Sequence, residues 1–162
     1  MNDIILREAS NADIPALVLV LKESFEEYRG QLDPPSGAHT ETTAKLREVL
    51  RTARAVLALI DGEVVGCVFY GPAGDHLDLF RLAVLPAQRR RGIARALVAY
   101  VEARAQELGF SRVQLGVRVA LTGNRTYYER LGYRFVEART HPGYAEPTFV
   151  ILEKIVDEGV KG

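Results

Sequence analysis

The residues best placed to do chemistry form one short run, Leu82-Ala83-Val84-Leu85-Pro86-Ala87-Gln88-Arg89-Arg90-Arg91-Gly92-Ile93-Ala94-Arg95. An apolar stretch ends in a turn, and the turn opens an amphipathic one. The first turn of a helix exposes unpaired N–H groups and the positive end of the macrodipole, which suit phosphate. Gly92 and Ala94 lack bulk, so an anion could approach the backbone, and the arginines add charge and forked donors. The pattern R-x-x-G-x-[G/A] arises by chance in roughly one chain of this length in twelve. By itself it is equally a solvated basic turn.

A second cluster follows: Asn124-Arg125-Thr126-Tyr127-Tyr128-Glu129-Arg130-Leu131-Gly132-Tyr133. A phenol of pKa ~10 stays protonated at neutral pH, so Tyr128 could serve as a proton donor. Tyr127, Tyr128, Leu131 and Tyr133 also make an ordinary apolar cluster. Asn124 lies one helical turn before Tyr128, where it could bond a ligand or cap its own helix. His39, His76 and His141 are scattered, and neither H-x-x-x-H nor C-x-x-C occurs, so no metal is expected. Cys67 reads as a small buried hydrophobe. G-x-G-x-x-G and G-x-x-x-x-G-K-[ST] are both absent, which leaves a nucleotide fold unsupported.

The composition narrows the setting of these clusters. The chain has 162 residues, is 48% hydrophobic, and balances 21 Lys plus Arg against 21 Asp plus Glu. This length suits one domain with its own core, read here as residues 1–162 with a core from about 4 to 156. Zero net charge argues against nucleic acid or a membrane surface as partner. It conceals a local bias, because residues 79–101 hold five arginines and no acid. The single cysteine excludes an intrachain disulfide. With no signal-like N-terminus and no apolar run near 18 residues, a cytoplasmic protein is expected.

The elements that must position the two clusters can be read from periodicity and turn residues. Ile4–Arg7 is a strand. Ser10 caps a helix carrying Asp13 and Pro15, whose apolar face is Ile14, Leu17, Val18, Leu21 and Phe25. Residues 30–37 form a loop, and Leu46, Val49 and Leu50 mark a second helix. Ala55–Ile60 and Val64–Tyr70 flank Asp61-Gly62 as a hairpin. A turn over Gly71–Asp75 leads to a strand at Asp78–Leu85 and a helix from about Arg91 to Leu108, stopped by Gly109. Strand Arg112–Val117, helix Asn124–Leu131, and strands Tyr133–Ala138 and Phe149–Ile155 complete the order β-α-α-β-β-β-α-β-α-β-β, an α/β mixed sheet.

Set between these elements, the clusters resemble the GNAT superfamily of acetyl-CoA-dependent N-acetyltransferases. Arg89, Gly92 and Ala94 match its [Q/R]-x-x-G-x-[G/A] signature, and Tyr128 to Tyr133 match Y-E-x-x-G-[F/Y]. The resemblance spans the whole chain in element order. It implies a sheet splayed between strands 4 and 5, with acetyl-CoA as cosubstrate in the cleft. It further implies that the backbone of Leu82, Ala83 and Val84 pairs with the pantetheine arm as an added strand would. The segment Arg89, Arg90, Arg91, Gly92, Ile93, Ala94 and Arg95 would hold the pyrophosphate, and Asn124 would bond the coenzyme. The acceptor would be the amine of a small molecule or peptide.

Acyl transfer to an amine needs a neutral nucleophile, yet a lysine-like amine is neutral in only about 4 molecules in 10⁴ at pH 7. By position Tyr128 resembles the family's general acid, which would protonate the leaving thiolate. The base is harder to assign. Some members carry a Glu on the fifth strand two residues before an Arg, and here that place is Gly116, ahead of Val117-Arg118. Asp78 stands six residues before Val84, on the same face by period-2 parity, and is the base candidate. Glu26, Glu27, Tyr28 and Arg29, and the loop His141-Pro142-Gly143-Tyr144, are candidate acceptor walls. A non-catalytic acyl-CoA-binding module is the alternative function. A homodimer is the commonest assembly for such a chain.

Overall fold

The computed structural model describes residues 3–157; the first two and last five positions of the expected domain lie outside them. The chain divides into two compact units, one of residues 1–72 and 79–101 and the other of residues 73–78 and 102–162. Strands β1 (Ile5–Glu8), β2 (Arg54–Ile60), β3 (Glu63–Ala73), β4 (His76–Val84), β5 (Arg112–Arg118), β6 (Arg134–Arg139) and β7 (Phe149–Ile155) hydrogen-bond in the order β1-β2-β3-β4-β5-β7-β6. Four helices accompany them: α1 (Ile14–Phe25), α2 (Thr43–Val49), α3 (Ile93–Leu108) and α4 (Thr122–Arg130). This is the α/β mixed sheet and the element order expected from periodicity.

The first unit is built on the β1-β2-β3 antiparallel ribbon. Asp61 and Gly62 both take positive φ, 52° and 81°, the pairing that a two-residue hairpin turn requires. Ser10 begins a 3-10 turn over Asn11–Asp13, ahead of α1 rather than as its own cap. The Asp13 carboxylate accepts from Ser10 N at 2.8 Å and from both Arg7 terminal nitrogens at 2.8 and 3.0 Å. Chiefly the Arg7 bond, with the Ser10 amide, holds its pKa down at about 2. The expected apolar face of α1 is the core: Ile14, Leu17 and Leu21 pack with Leu46 of α2 and with Leu57, Cys67, Phe69 and Ala83 of the sheet.

In the second unit β7 lies between β5 and β6, antiparallel to both. Leu77 and Asp78 at the start of β4 pair in parallel with Val113 and Gln114. Val113, Leu115 and Val117 are buried along β5 while Gln114 and Gly116 are not, the alternation of a half-buried strand.

Several boundaries differ from the sequence reading; β6 lies at Arg134–Arg139 rather than Tyr133–Ala138, and β4 at His76–Val84 rather than Asp78–Leu85. β1 is displaced by one residue, to Ile5–Glu8. β3 continues through Gly71 and Pro72, beyond the last β2 pair at Arg54↔Tyr70; past the end of its neighbour a strand tolerates proline. α3 starts at Ile93 rather than Arg91, because Arg90 and Gly92 both take left-handed φ, 66° and 81°. α4 begins two residues earlier than expected, at Thr122.

Candidate functional site

Within the first unit, β4 runs through half-buried Leu82 and buried Ala83 and Val84 into a 3-10 turn, Pro86–Gln88, and then into the arginine turn. Gly92 is the hinge of that turn. A Cβ there would meet nothing within 4 Å, so it is the φ of 81°, not space, that calls for glycine. The Gly92 carbonyl accepts from Ala96 N at 3.0 Å, which starts the α3 ladder. The amides of Ile93, Ala94 and Arg95 fall in the first turn, where a helix has no internal acceptors to offer them.

The four arginines divide into two sorts. Arg89 is tied inward: its Nε donates to Val84 O at 3.3 Å, its Nη2 donates to Ser24 O at 3.0 Å, and it is ion-paired with Glu27. Arg89 thus fastens the end of α1 to the end of β4. Arg90, Arg91 and Arg95 are exposed and have no hydrogen-bond or ion-pair partner among the described residues. Glu27, which reads as an acceptor wall from sequence, is held by Arg89, while Glu26 and Arg29 pair with one another at 2.5 Å.

One position that sequence reasoning missed is Gly66 on β3. A Cβ there would come within 2.9 Å of the Ala83 carbonyl and 3.3 Å of the Ile93 side chain. Its φ is unremarkable, so no turn signal marks it. It is glycine because the backbone of β4 and the start of α3 pass too close for a side chain.

Within the second unit, α4 ends in a pair of bonds that explains the spacing of its signature. Gly132 N donates to Glu129 O and Tyr133 N donates to Tyr128 O, both at 3.0 Å. This is a Schellman arrangement, with Gly132 at φ 102° in the left-handed position. Tyr133 is buried, its hydroxyl donates to Glu102 Oε2 at 2.9 Å, and Lys154 Nζ donates to the other Glu102 oxygen at 3.1 Å. The Tyr128 ring stands edge-on to Tyr133 and Tyr127, with centroids 5.9 and 5.5 Å away.

The Tyr128 hydroxyl has no hydrogen-bond partner among the described residues. Desolvation first, and the neighbouring Tyr127 second, push its pKa above the ordinary phenol value. It is a neutral donor held at a set place. Asn124 does not cap α4, since Leu121 occupies that position; its exposed side chain sits in the first turn with no described partner.

Asp78 lies at the entry of β4, half-buried, 2.9 Å from His76 Nε2. Period-2 parity between Asp78 and Val84 fails at Arg81, whose φ of 50° breaks the alternation within the continuous strand β4. Phe80 and Ala83 both pack against the α1–α2 core, so residues on the two sides of Arg81 no longer alternate in step. Gly116 is exposed, and a Cβ on it would meet Phe149 at 3.5 Å, an ordinary contact. His141 in the β6–β7 loop is bonded through its backbone N and its Nδ1 to Thr148 Oγ1. Burial and then Arg118 hold its pKa below the usual histidine value. Cys67 is fully buried, and desolvation pushes its thiol up to about 12, which removes it as a nucleophile near neutral pH. Among the described residues no three His, Cys, Asp or Glu side chains could hold a metal ion, and no helix is long and apolar enough to cross a membrane.

Comparison with known proteins bears on these two assemblies together. The family model described as the acetyltransferase (GNAT) family matches residues 18–133. The uncharacterized N-acetyltransferase YjgM of Escherichia coli K12 is 26% identical over 139 residues, 82% of this chain and 83% of that protein. The PaiA N-acetyltransferase of Thermoplasma acidophilum, crystallised with coenzyme A, has a TM-score of 0.80 at 20% identity, over 94% of this chain and 99% of that one. A GNAT family acetyltransferase of Elizabethkingia anophelis with acetyl-CoA bound has a TM-score of 0.69 at 18% identity, over 94% and 97%. At these identities the two crystal structures establish the fold.

Proposed function

The chain belongs to the acetyltransferase (GNAT) family, and from that premise we propose that it transfers the acetyl group of acetyl-CoA to a primary amine of a small molecule or peptide. The observation that carries the proposal is the turn from Arg90 to Arg95. First-turn amides without internal acceptors, a glycine at φ 81° and three unpaired arginines make a phosphate site from backbone and charge together. The pyrophosphate of the coenzyme is the ligand this suits. Leu82, Ala83 and Val84 lie directly upstream, and in this reading their backbone groups pair with the pantetheine arm.

The transfer is a direct attack. The neutral amine nitrogen forms a bond to the thioester carbonyl carbon, the carbon–sulfur bond breaks, and the ammonium proton leaves to a base or to water. Tyr128 donates its phenolic proton to the departing thiolate and regains one from solvent. Desolvation keeps the Tyr128 phenol above its ordinary value, so the group is protonated at neutral pH and available as a donor. Holding amine and thioester in line supplies much of the remaining acceleration.

The test is to mix the protein with acetyl-CoA and a panel of primary amines and follow free thiol. Thiol release with an acetylated amine as product is expected. Coenzyme binding with no thiol release across a broad panel would instead mark a non-catalytic acyl-CoA-binding module. Failure to bind acetyl-CoA at all would end both readings. Asp78→Asn in the same assay tests the carboxylate named from sequence as the base; unchanged turnover removes it from that role.

A further inference from the structure

Strand β4 contains a residue in a conformation that its own side chain disfavours. Arg81 has φ 50°, in the left-handed region where a bulky residue is strained and stays only if its surroundings hold it there. The surroundings do hold it. Arg81 Nε donates to Glu41 Oε2 at 2.6 Å. Its guanidinium carbon lies 5.7 Å from the Phe69 ring centroid and 5.6 Å from that of Phe80. The Cys67 thiol approaches the Arg81 carbonyl at 3.7 Å. Glu41 is 3% exposed and, with Ser24, is one of two buried polar residues among those described. A carboxylate so deep is tolerated only with its cation beside it. Glu41 itself is set where the 3-10 turn Gly37–Thr40 runs on towards α2.

We propose that the Glu41–Arg81 ion pair is a positioning device, which holds Arg81 left-handed and thereby sets the face and edge that Leu82, Ala83 and Val84 present. The consequence is visible in packing: Phe80 and Ala83 face one core, which regular alternation along the strand would forbid. Glu41 and Arg81 act through the backbone that follows them. The coenzyme half of the inference rests on the acetyl-CoA reading above; the conformational half does not.

The experiment compares the parent, Glu41→Ala, and the double variant Glu41→Ala with Arg81→Gly, each as the full chain. Glycine takes a φ of 50° without penalty, so it supplies the conformation without the pair. Glu41→Ala is expected to weaken acetyl-CoA binding, measured by calorimetry, about tenfold, and to shift the amide resonances of Leu82, Ala83 and Val84. Adding Arg81→Gly is expected to return the affinity to within about twofold of the parent, with those resonances restored and thermal stability still lowered. A merely structural pair would not show that rescue. If Glu41→Ala does not fold, Glu41→Gln and its double with Arg81→Gly are measured in the same way, with about a threefold first effect. Unchanged affinity and resonances without the carboxylate overturn the inference, and so does a loss that Arg81→Gly leaves in place. A parent that does not bind acetyl-CoA removes the acyl-transfer reading instead, and the resonances then decide the inference by the same pattern.

Discussion

In the proposed reaction the arginine turn of the first unit and the tyrosine end of α4 in the second act by opposite routes. At the turn the proposed binding falls to main-chain N–H groups, and glycine serves the path of the chain, by its φ at Gly92 and by clearance at Gly66 on β3. At the end of α4 the main chain only positions, through the Gly132 and Tyr133 bonds, while the proposed proton donor is one side chain, the Tyr128 phenol. A site made of backbone tolerates changes of side chain and fails when the path of the chain changes. A site made of one side chain fails when that group is altered, even with the fold intact.

The largest expected effect tests the second half of that contrast. Tyr128→Phe keeps the ring packing against Tyr133 and Tyr127 and deletes only the hydroxyl. We expect turnover to fall about 100-fold with the acetyl-CoA Michaelis constant little changed. The pH profile adds a sign. Because burial raises the phenol above its ordinary value, the parent should gain rate as the amine deprotonates and show no alkaline limb from Tyr128 below about pH 10. An alkaline limb near pH 8 that disappears in Tyr128→Phe would contradict the assigned pKa direction. Equal turnover in the two proteins would leave α4 a packing element only.

Gly66→Ala tests the turn from beneath. The new methyl would lie 2.9 Å from the Ala83 carbonyl, so β4 must move. A loss of about 1–3 kcal/mol is expected, read as a lower melting temperature. Because the displaced carbonyl lies on the edge proposed to hold the coenzyme, the acetyl-CoA Michaelis constant should rise with it.

Gly92→Glu comes next. A side chain at φ 81° is strained and a carboxylate there opposes the phosphates, so the acetyl-CoA Michaelis constant should rise about tenfold with a smaller change in turnover. Gly92→Ala isolates the backbone share of that effect. If alanine is silent and glutamate severe, charge rather than chain path governs the site.

The same contrast separates the features that are legible in the amino-acid sequence from those that are not. Asp61-Gly62, Gly132 and the apolar face of α1 are legible because each is a local rule: φ at a turn, φ at a helix end, a period of 3.6. The arginine turn is legible as a turn for the same reason, through Gly92. What is not legible depends on residues far apart in the chain. Gly66 is dictated by Ala83 and Ile93, and the inward role of Arg89 by Ser24 and Glu27. The parity that links Asp78 to Val84 assumes regular alternation, and Arg81, where it fails, is bonded to Glu41, forty positions earlier by number. Nothing in the run Leu79 to Leu85 announces it. Asn124 is no cap for a smaller reason, since α4 has already begun at Thr122.

The smallest expected effects are the most direct test of a backbone-made site. Arg90, Arg91 and Arg95 are exposed, and at ~0.15 M salt their fields are screened beyond about 8 Å. Each single change to alanine should therefore raise the acetyl-CoA Michaelis constant only about twofold at that salt. The three together should flatten its dependence on ionic strength without abolishing binding, because in the proposed site the amides of Ile93, Ala94 and Arg95 bond the ligand directly, at a range salt does not screen. Measuring the constant for the parent, the three single variants and the triple variant at low and high salt separates the two contributions. If Arg91→Ala alone matched Gly92→Glu, the turn would be a side-chain site like Tyr128, and the two regions would differ only in the residue they use.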